Sequence, residues 1–322
     1  MKRLLTNFKN VIKLVYTKKS KSFIKFLKGK NLYMQALEIN SIFNISRADT
    51  IRFRRIVIDV LSESCAMPTD DEPDYEGIGT LAEKQMHAAI KRFICPDEAK
   101  HEIPLDNGER VGEIGEDGKK IKRRKFVADI LNNGNVFEIQ TGSLVPLHDK
   151  IDWILKNTSY NITVIHPIAE TKWVNILNSQ NDIEKRYKSP VKGRINDIAS
   201  EIYSIKDFID SPRFSLVLLM MEAEQYMKNT SKSTRSRKKF KKYELIPVNL
   251  ISAVIFKGSD SYKVFIPESL EDEFTVKQFS SATKIRGMDA YSAVHSLCDI
   301  GLLEKCGNIG RAAVYKRCFD QK

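Results

Sequence analysis

Residues 126–142 read FVADILNNGNVFEIQTG and hold the sharpest chemistry in the chain. Asn133-Gly134 is a two-residue hairpin signal between two apolar-rich runs. A turn there sets Asn132 opposite Asn135, Leu131 opposite Val136 and Asp129 opposite Glu138, and a four-residue loop over 132–135 gives the same register. Directly opposed residues share a sheet face, with Cβ atoms about 4.5–5.5 Å apart. Gln140 falls on that face by the period of two, while Ala128, Ile130, Phe137 and Ile139 fall on the other and suit a core. Opposed like charges destabilise a strand pair, so a cation is expected to offset them. Mg²⁺ favours carboxylate oxygens and keeps several waters, which leaves room for a phosphate oxygen and a nucleophilic water. The alternative is a solvent-exposed hairpin whose Asp129 and Glu138 pair with nearby lysines.

The elements that must hold this pair follow from periodicity. Residues 81–94 form a helix with Leu81, Met86, Ala89, Ile90 and Phe93 on its apolar side. Short strands are expected at 101–105 and 109–114 around Asp106-Asn107-Gly108, then at 126–131 and 136–141. A helix over 144–156 and a buried-type strand over 161–168 come next. Residues 172–228 continue the pattern, with FSLVLLMM at 214–221 a buried strand. The result is an α/β unit with a mixed sheet flanked by helices.

The order of helical Glu, strand Asp and strand Glu-x-Lys, followed by a helix and a strand, resembles the PD-(D/E)xK nuclease superfamily over roughly residues 80–168. Matched residue by residue, Asp129 takes the motif Asp, Glu138 the motif Glu, and Glu83 the acid on the preceding helix. Gln140 stands where that family usually has Lys, and Ala128 where it nominally has Pro. The resemblance implies a restriction-endonuclease-like core in which Asp129, Glu138 and the backbone carbonyl of Ile139 hold Mg²⁺ or Mn²⁺. Glu83 would assist and Gln140 would orient the water. An amide supplies no cation; Lys150 is one candidate for the missing charge, and Lys84 and His87 lie near Glu83 on its helix. His87 and His166 read more simply as ordinary helix-surface and strand histidines. The chain also resembles a group of uncharacterised bacterial proteins that share the order EK..HAAIKR, ADI, EIQTG.

Positive charge surrounds this core. The chain of 322 residues has 53 Lys+Arg against 41 Asp+Glu, a net charge of +12, which points to a polyanionic partner such as nucleic acid. Residues 1–37 hold ten basic residues and no acid, with apolar residues at helical spacing, so a basic amphipathic helical extension is expected. A further helix over 45–63 leads to an acidic, Pro-containing stretch at 70–76 taken as a boundary. The loop KRYKSPVKGR offers Lys185, Arg186, Lys188, Lys192 and Arg194 to phosphates, against the alternative of a solvated charged loop. The run KSTRSRKKFKK at 232–242 carries seven basic residues and reads as a linker.

Residues 273–317 resemble a winged helix-turn-helix domain. Thr275 caps a first helix, Lys284-Ile285-Arg286-Gly287 makes the turn, and a second helix over 288–300 ends at Gly301. Ala290, Val294, Leu297 and Cys298 form its core stripe, and Tyr291, Ser292 and His295 face a groove. Arg286, Arg311, Lys316 and Arg317 are placed for phosphates. Winged helices also mediate protein contacts, so the ligand stays open between DNA and a protein.

The expected layout is a basic helical extension at 1–76, a nuclease-like core at 77–228, a basic connecting segment at 229–266 and a winged helix at 267–322. The expected function is a metal-dependent endodeoxyribonuclease, with restriction or defence as the role reached by analogy. The alternative is a DNA-binding regulator or assembly protein with an inactive nuclease-like core. The expected partners are DNA, double-stranded first, and a second copy of the chain. No run of about 18 apolar residues exists, which argues against a membrane span. Five scattered Cys without CxxC spacing, and no leader-like apolar run, suggest a reducing cytoplasm.

Overall fold

The computed structural model describes residues 42–66, 78–105, 126–229 and 240–319. The basic extension over 1–37, the acidic stretch at 70–76, the turn at 106–108, the strand expected at 109–114 and most of the 232–242 run lie outside them.

Eleven strands are described: β1 Ile42–Asn44, β2 His101–Leu105, β3 Phe126–Asn132, β4 Asn135–Ile139, β5 Asn161–Leu177, β6 Ile183–Lys188, β7 Phe214–Asn229, β8 Phe240–Phe256, β9 Glu273–Thr275, β10 Leu303–Ile309 and β11 Ala312–Arg317. The helices are α1 Arg47–Ala66, α2 Ile78–Ile94, α3 His148–Asn157, α4 Val276–Thr283 and α5 Met288–Asp299, with 3₁₀ turns between them. Residues 214–221 are buried without alternation, the mark of a strand covered on both faces. The main sheet has eight strands in the order β1-β8-β7-β5-β4-β3-β2, with β6 pairing β5 off that path. β2, β3 and β4 are antiparallel, whereas β4 and β5 are parallel and joined through α3. The fold is a mixed α/β sheet with flanking helices.

The chain divides into two compact units, and β5, β7 and β8 each run from one into the other. The first comprises residues up to 96, 167–194 and 218–254. In it Ser46 caps α1: its Oγ accepts from the Asp49 amide at 3.0 Å and donates to the Asp49 carboxylate at 2.6 Å. The buried stripe Phe53, Val57, Val60 and Leu61 of α1 lies on the side that meets α2, where Phe53 meets Phe93 edge-on at 5.4 Å. Arg92 of α2 grips Glu63 with two bonds of 2.9 and 2.7 Å.

The second unit comprises 97–166, 195–217 and 255 onward. Thr275 caps α4 in a capping box with Gln278. Lys284 then takes φ +65°, and α5 and the β10–β11 hairpin follow. The antiparallel order β10-β11-β9 closes a three-stranded sheet.

Two expectations change. Residues 42–66 are not an appendage: β1 pairs β8, and α1 packs on α2. The expected connecting segment 229–266 contains β8, a 17-residue strand between β1 and β7. Its sequence FKKYELIPVNLISAVIF begins inside the basic run at 232–242, and that charge masks a strand pattern otherwise rich in Ile and Val.

Candidate functional site

Asn133 and Gly134 adopt φ +49° and +74°, the pair of positive values a two-residue turn of the hairpin-favouring hand requires. The resulting ladder runs Asn132↔Asn135, Leu131↔Val136 and Ile130↔Phe137. At the next step side chains replace the backbone. The Asp129 amide donates to Glu138 Oε1 at 3.3 Å, and the Ile139 amide donates to Asp129 Oδ2 at 2.8 Å. The two carboxylates thus face each other across the end of the hairpin, each braced by an N–H of the opposite strand. Ala128, Ile130, Phe137 and Ile139 are buried, as the alternation requires.

Glu138 is buried too, only 3% exposed, so the alternative of a solvent-exposed hairpin does not hold there, although the pairing with a lysine that it expected is made. Helix α3 supplies its counter-charge. Ile151 and Ile154 of α3 are buried, and Trp153 packs on Phe126 of β3 at 5.7 Å. That seating turns Lys150 inward, where Nζ bonds Glu138 Oε2 and the Val127 carbonyl, the latter at 2.5 Å. Three carbonyls at the C-terminal end of α3 are met by the guanidinium of Arg213, which donates to Thr158 O at 2.7 Å, Tyr160 O at 3.2 Å and Leu155 O. Burial pushes the Glu138 carboxyl up to about 7, with Asp129 adding to the rise and Lys150 opposing it.

Gln140 does not project free toward the acids. Its amide Nε2 donates to Ser143 O at 2.6 Å, tying down the loop after β4. The same loop is held by Glu201, whose carboxylate accepts from Ser143 Oγ at 2.8 Å and Leu144 N at 2.9 Å. Glu201 went unremarked in the sequence, where it stands between the buried Ile198 and Ile202 of a 3₁₀ helix. His166, beside Gln140 on β5, is held below its usual range by burial. Glu83 lies on α2, and its side chain falls outside the described residues. Among the described residues no group of three His, Cys, Asp or Glu side chains is placed to hold a metal ion.

The expected phosphate contacts divide. Arg186 is committed to Glu224 at 2.7 Å and lies 4.0 Å over the Trp173 ring. Arg317 donates to the Pro267 and Leu270 carbonyls, and Lys316 pairs with Glu304 at 2.7 Å. Ser292 is turned to the 3₁₀ helix over 195–204, donating to Ser200 O at 3.2 Å, and Lys206 bridges to Asp299 at 2.6 Å. One side of α5 is therefore spent on docking inside its own unit. Tyr291, His295, Arg286 and Arg311 stay exposed, as do Lys185, Lys188 and Lys192, while Arg194 is half-buried.

A family model described as a domain of unknown function, DUF8091, matches residues 84–257, more than half of the chain. The chain belongs to the DUF8091 family. The matched stretch carries Asp129, Glu138, Lys150 and the β5–β6 hairpin and ends before β9. This DUF8091 protein is also similar to an uncharacterized protein of Treponema pallidum (strain Nichols), 23% identical over 244 residues that cover 74% of this chain and 87% of the relative. No solved structure matches it. No helix among the described residues is long and apolar enough to cross a membrane.

Proposed function

We propose that this protein is a metal-dependent nuclease that hydrolyses DNA phosphodiester bonds at Asp129 and Glu138. The observation that carries the reading is the apposition of two carboxylates on adjacent strand ends, one of them buried and paired with Lys150. Glu138 is 3% exposed, its carboxylate faces that of Asp129, and the donors the pair offers a metal are oxygens. That donor set suits Mg²⁺ or Mn²⁺, held by Asp129 and Glu138 with the Ile139 carbonyl. Such an ion supplies Lewis acidity, making a bound water a better nucleophile and offsetting charge on the transferring phosphoryl group.

The chain's own residues do the rest. Lys150 favours the ionised form of Glu138 and presents positive charge beside the acids, the part the resembling family gives to the Lys two residues after its Glu. Gln140 keeps the loop at 141–144 in place through Ser143. The β9–α4–α5–β10–β11 order resembles a winged helix-turn-helix, and the exposed Tyr291, His295, Arg286 and Arg311 are the side chains this reading assigns to DNA. A restriction or defence role rests on analogy with other nucleases that carry such modules.

One observation favours a second reading, a DNA-binding regulator or assembly protein with an inactive core. The Gln140 amide nitrogen is engaged with Ser143 O, which leaves its carbonyl oxygen as the group that could meet a water. The deciding experiment incubates the full chain with single- and double-stranded DNA and with RNA, in Mg²⁺, Mn²⁺ or EDTA. Metal-dependent cleavage of DNA that Asp129→Asn abolishes is the expected result. Binding without cleavage of any substrate would support the second reading.

A further inference from the structure

Parallel pairing carries one more side chain to the face of the acids. β4 and β5 pair Glu138↔Val164 and Ile139↔Ile165, and the Gln140 amide donates to Ile165 O at 2.9 Å. The next lateral neighbours along that ladder are Gln140 and His166. Lateral neighbours share a sheet face and the side-chain period is two, so His166 stands on the face of Glu138 and Gln140. Asp129 joins that face from β3, opposite Glu138. All four residues belong to the second unit. With a strand spacing of about 4.8 Å and a rise of about 6.6 Å over two residues, His166 lies about 8 Å from Glu138 across the diagonal. Two side chains and a water span such a distance.

His166 is half-buried, and its Nδ1 is buried without a hydrogen-bond partner. A histidine kept only for packing has its buried nitrogens satisfied, so an orphan of this kind asks for an explanation. The residue after it, Pro167, has no N–H. In a continued parallel ladder that N–H would meet the Gln140 carbonyl, so the ladder ends where the two side chains stand. Burial holds the imidazole below its usual range, against the opposing influence of the Gln140 backbone and the Glu201 carboxylate. Glu201 is itself fixed by Ser143 Oγ and the Leu144 amide. The ring, Gln140 and the loop at 141–144 therefore form one corner of the site.

The chemistry of the cleavage reading leaves a role for such a ring. Asp129 and Glu138 are assigned to the ion, and Lys150 is a donor bonded to Glu138 and the Val127 carbonyl. The Gln140 carbonyl oxygen accepts a hydrogen bond from a water but does not take its proton. An imidazole does so near neutral pH. Resting on the cleavage reading, we propose that His166 is the general base of this site. As the water oxygen bonds to phosphorus, one water proton passes to the lone-pair nitrogen of the imidazole. The bond from phosphorus to the leaving oxygen breaks, and that oxygen takes a proton from solvent. The imidazolium then returns its proton to solvent.

The test follows single-turnover cleavage of a labelled DNA duplex by the full chain in Mg²⁺. His166→Gln should lower the rate by roughly 10²–10³-fold. Mn²⁺ binding to the same variant, measured by calorimetry, should match wild type, because the acids are intact. His166→Gly should regain cleavage when imidazole is added, and the rate regained with a series of substituted imidazoles should rise with their basicity. A ring needed only for packing would give a rescue indifferent to basicity, and that result would overturn the assignment. Wild-type cleavage by His166→Gln would overturn it and leave the cleavage reading standing. Lost Mn²⁺ binding in His166→Gln would overturn it by making the ring a metal ligand. No cleavage by the wild type in any metal would overturn both.

Discussion

Replacing Glu244 with Gln should raise the stability of the protein above neutral pH and leave it nearly unchanged at pH 5. Glu244 lies on β8, 4% exposed; Gln85 is alongside, yet neither carboxylate oxygen has a hydrogen-bond partner of good geometry. Burial pushes its carboxyl from 4.5 up to about 7. The folded state therefore holds the proton more tightly than the unfolded state does. That contribution is fully present below pH 4.5 and lost as pH rises toward 7, after which the deficit is constant. At about 1.4 kcal/mol per pH unit, the loss between pH 5 and pH 8 is about 2–3 kcal/mol, equivalent to roughly 5 °C in melting temperature for a chain of this size. Glu138 has the same sign and a similar range, so the single substitution should halve the fall, and Glu138→Gln with Glu244→Gln should flatten it. Calorimetry in metal-free buffers of matched ionic strength across pH 5 to 8 reads this directly. A Glu244→Gln profile parallel to wild type would refute the reasoning.

Lys150→Met should lower metal-dependent cleavage by roughly 10²–10³-fold, as loss of an oriented charge does elsewhere, and should push the Glu138 carboxyl further up, visible as a steeper stability loss above pH 7. Arg186→Ala should cost about 3–5 kcal/mol in urea denaturation, because Glu224, 1% exposed, loses its guanidinium partner. Removing residues 267–322 should lower the melting temperature of the remaining chain, since α5 docks on the 3₁₀ helix over 195–204 through Ser292–Ser200 and Lys206–Asp299. A truncated protein that melts like the intact one would show that module to be independent.

The hairpin was legible because its signals are local. Asn-Gly dictates the turn, the turn dictates register, and register carries Asp129 to Glu138. What the period of two could not convey is that their carboxylates would reach across to backbone amides. Lys150 was within reach of sequence reasoning as a nearby cation, yet its partner depends on how Trp153 seats α3 on β3, a tertiary matter. The Gln140–Ser143 contact was beyond local reading, because the side chain meets Ser143 only once the loop after β4 closes. The β8 strand was obscured by the lysines before it. The basic loop at 185–194 was read as uniform, whereas the fold sorts it, tying Arg186 into an ion pair with the buried Glu224 and leaving its lysine neighbours without one. That sorting depends on Glu224, nearly forty residues away, and no local pattern could show it.

The crossed bracing at the hairpin end separates two pressures on residues 129 and 138. An Ile139 amide needs an acceptor at 129, and an Asp129 amide needs one at 138. Asn and Gln would satisfy both through their carbonyl oxygens, at nearly the same size and without mutual repulsion. Folding alone therefore accounts for a polar acceptor at each place, and at 138 the Lys150 ammonium also asks for a charge. At 129 the preference for an acid is a preference for charge that no ion pair described here demands, and in a relative of this chain the swap from Asp to Asn there, with Glu138 and Lys150 kept, would mark the point where chemistry was given up while architecture was kept.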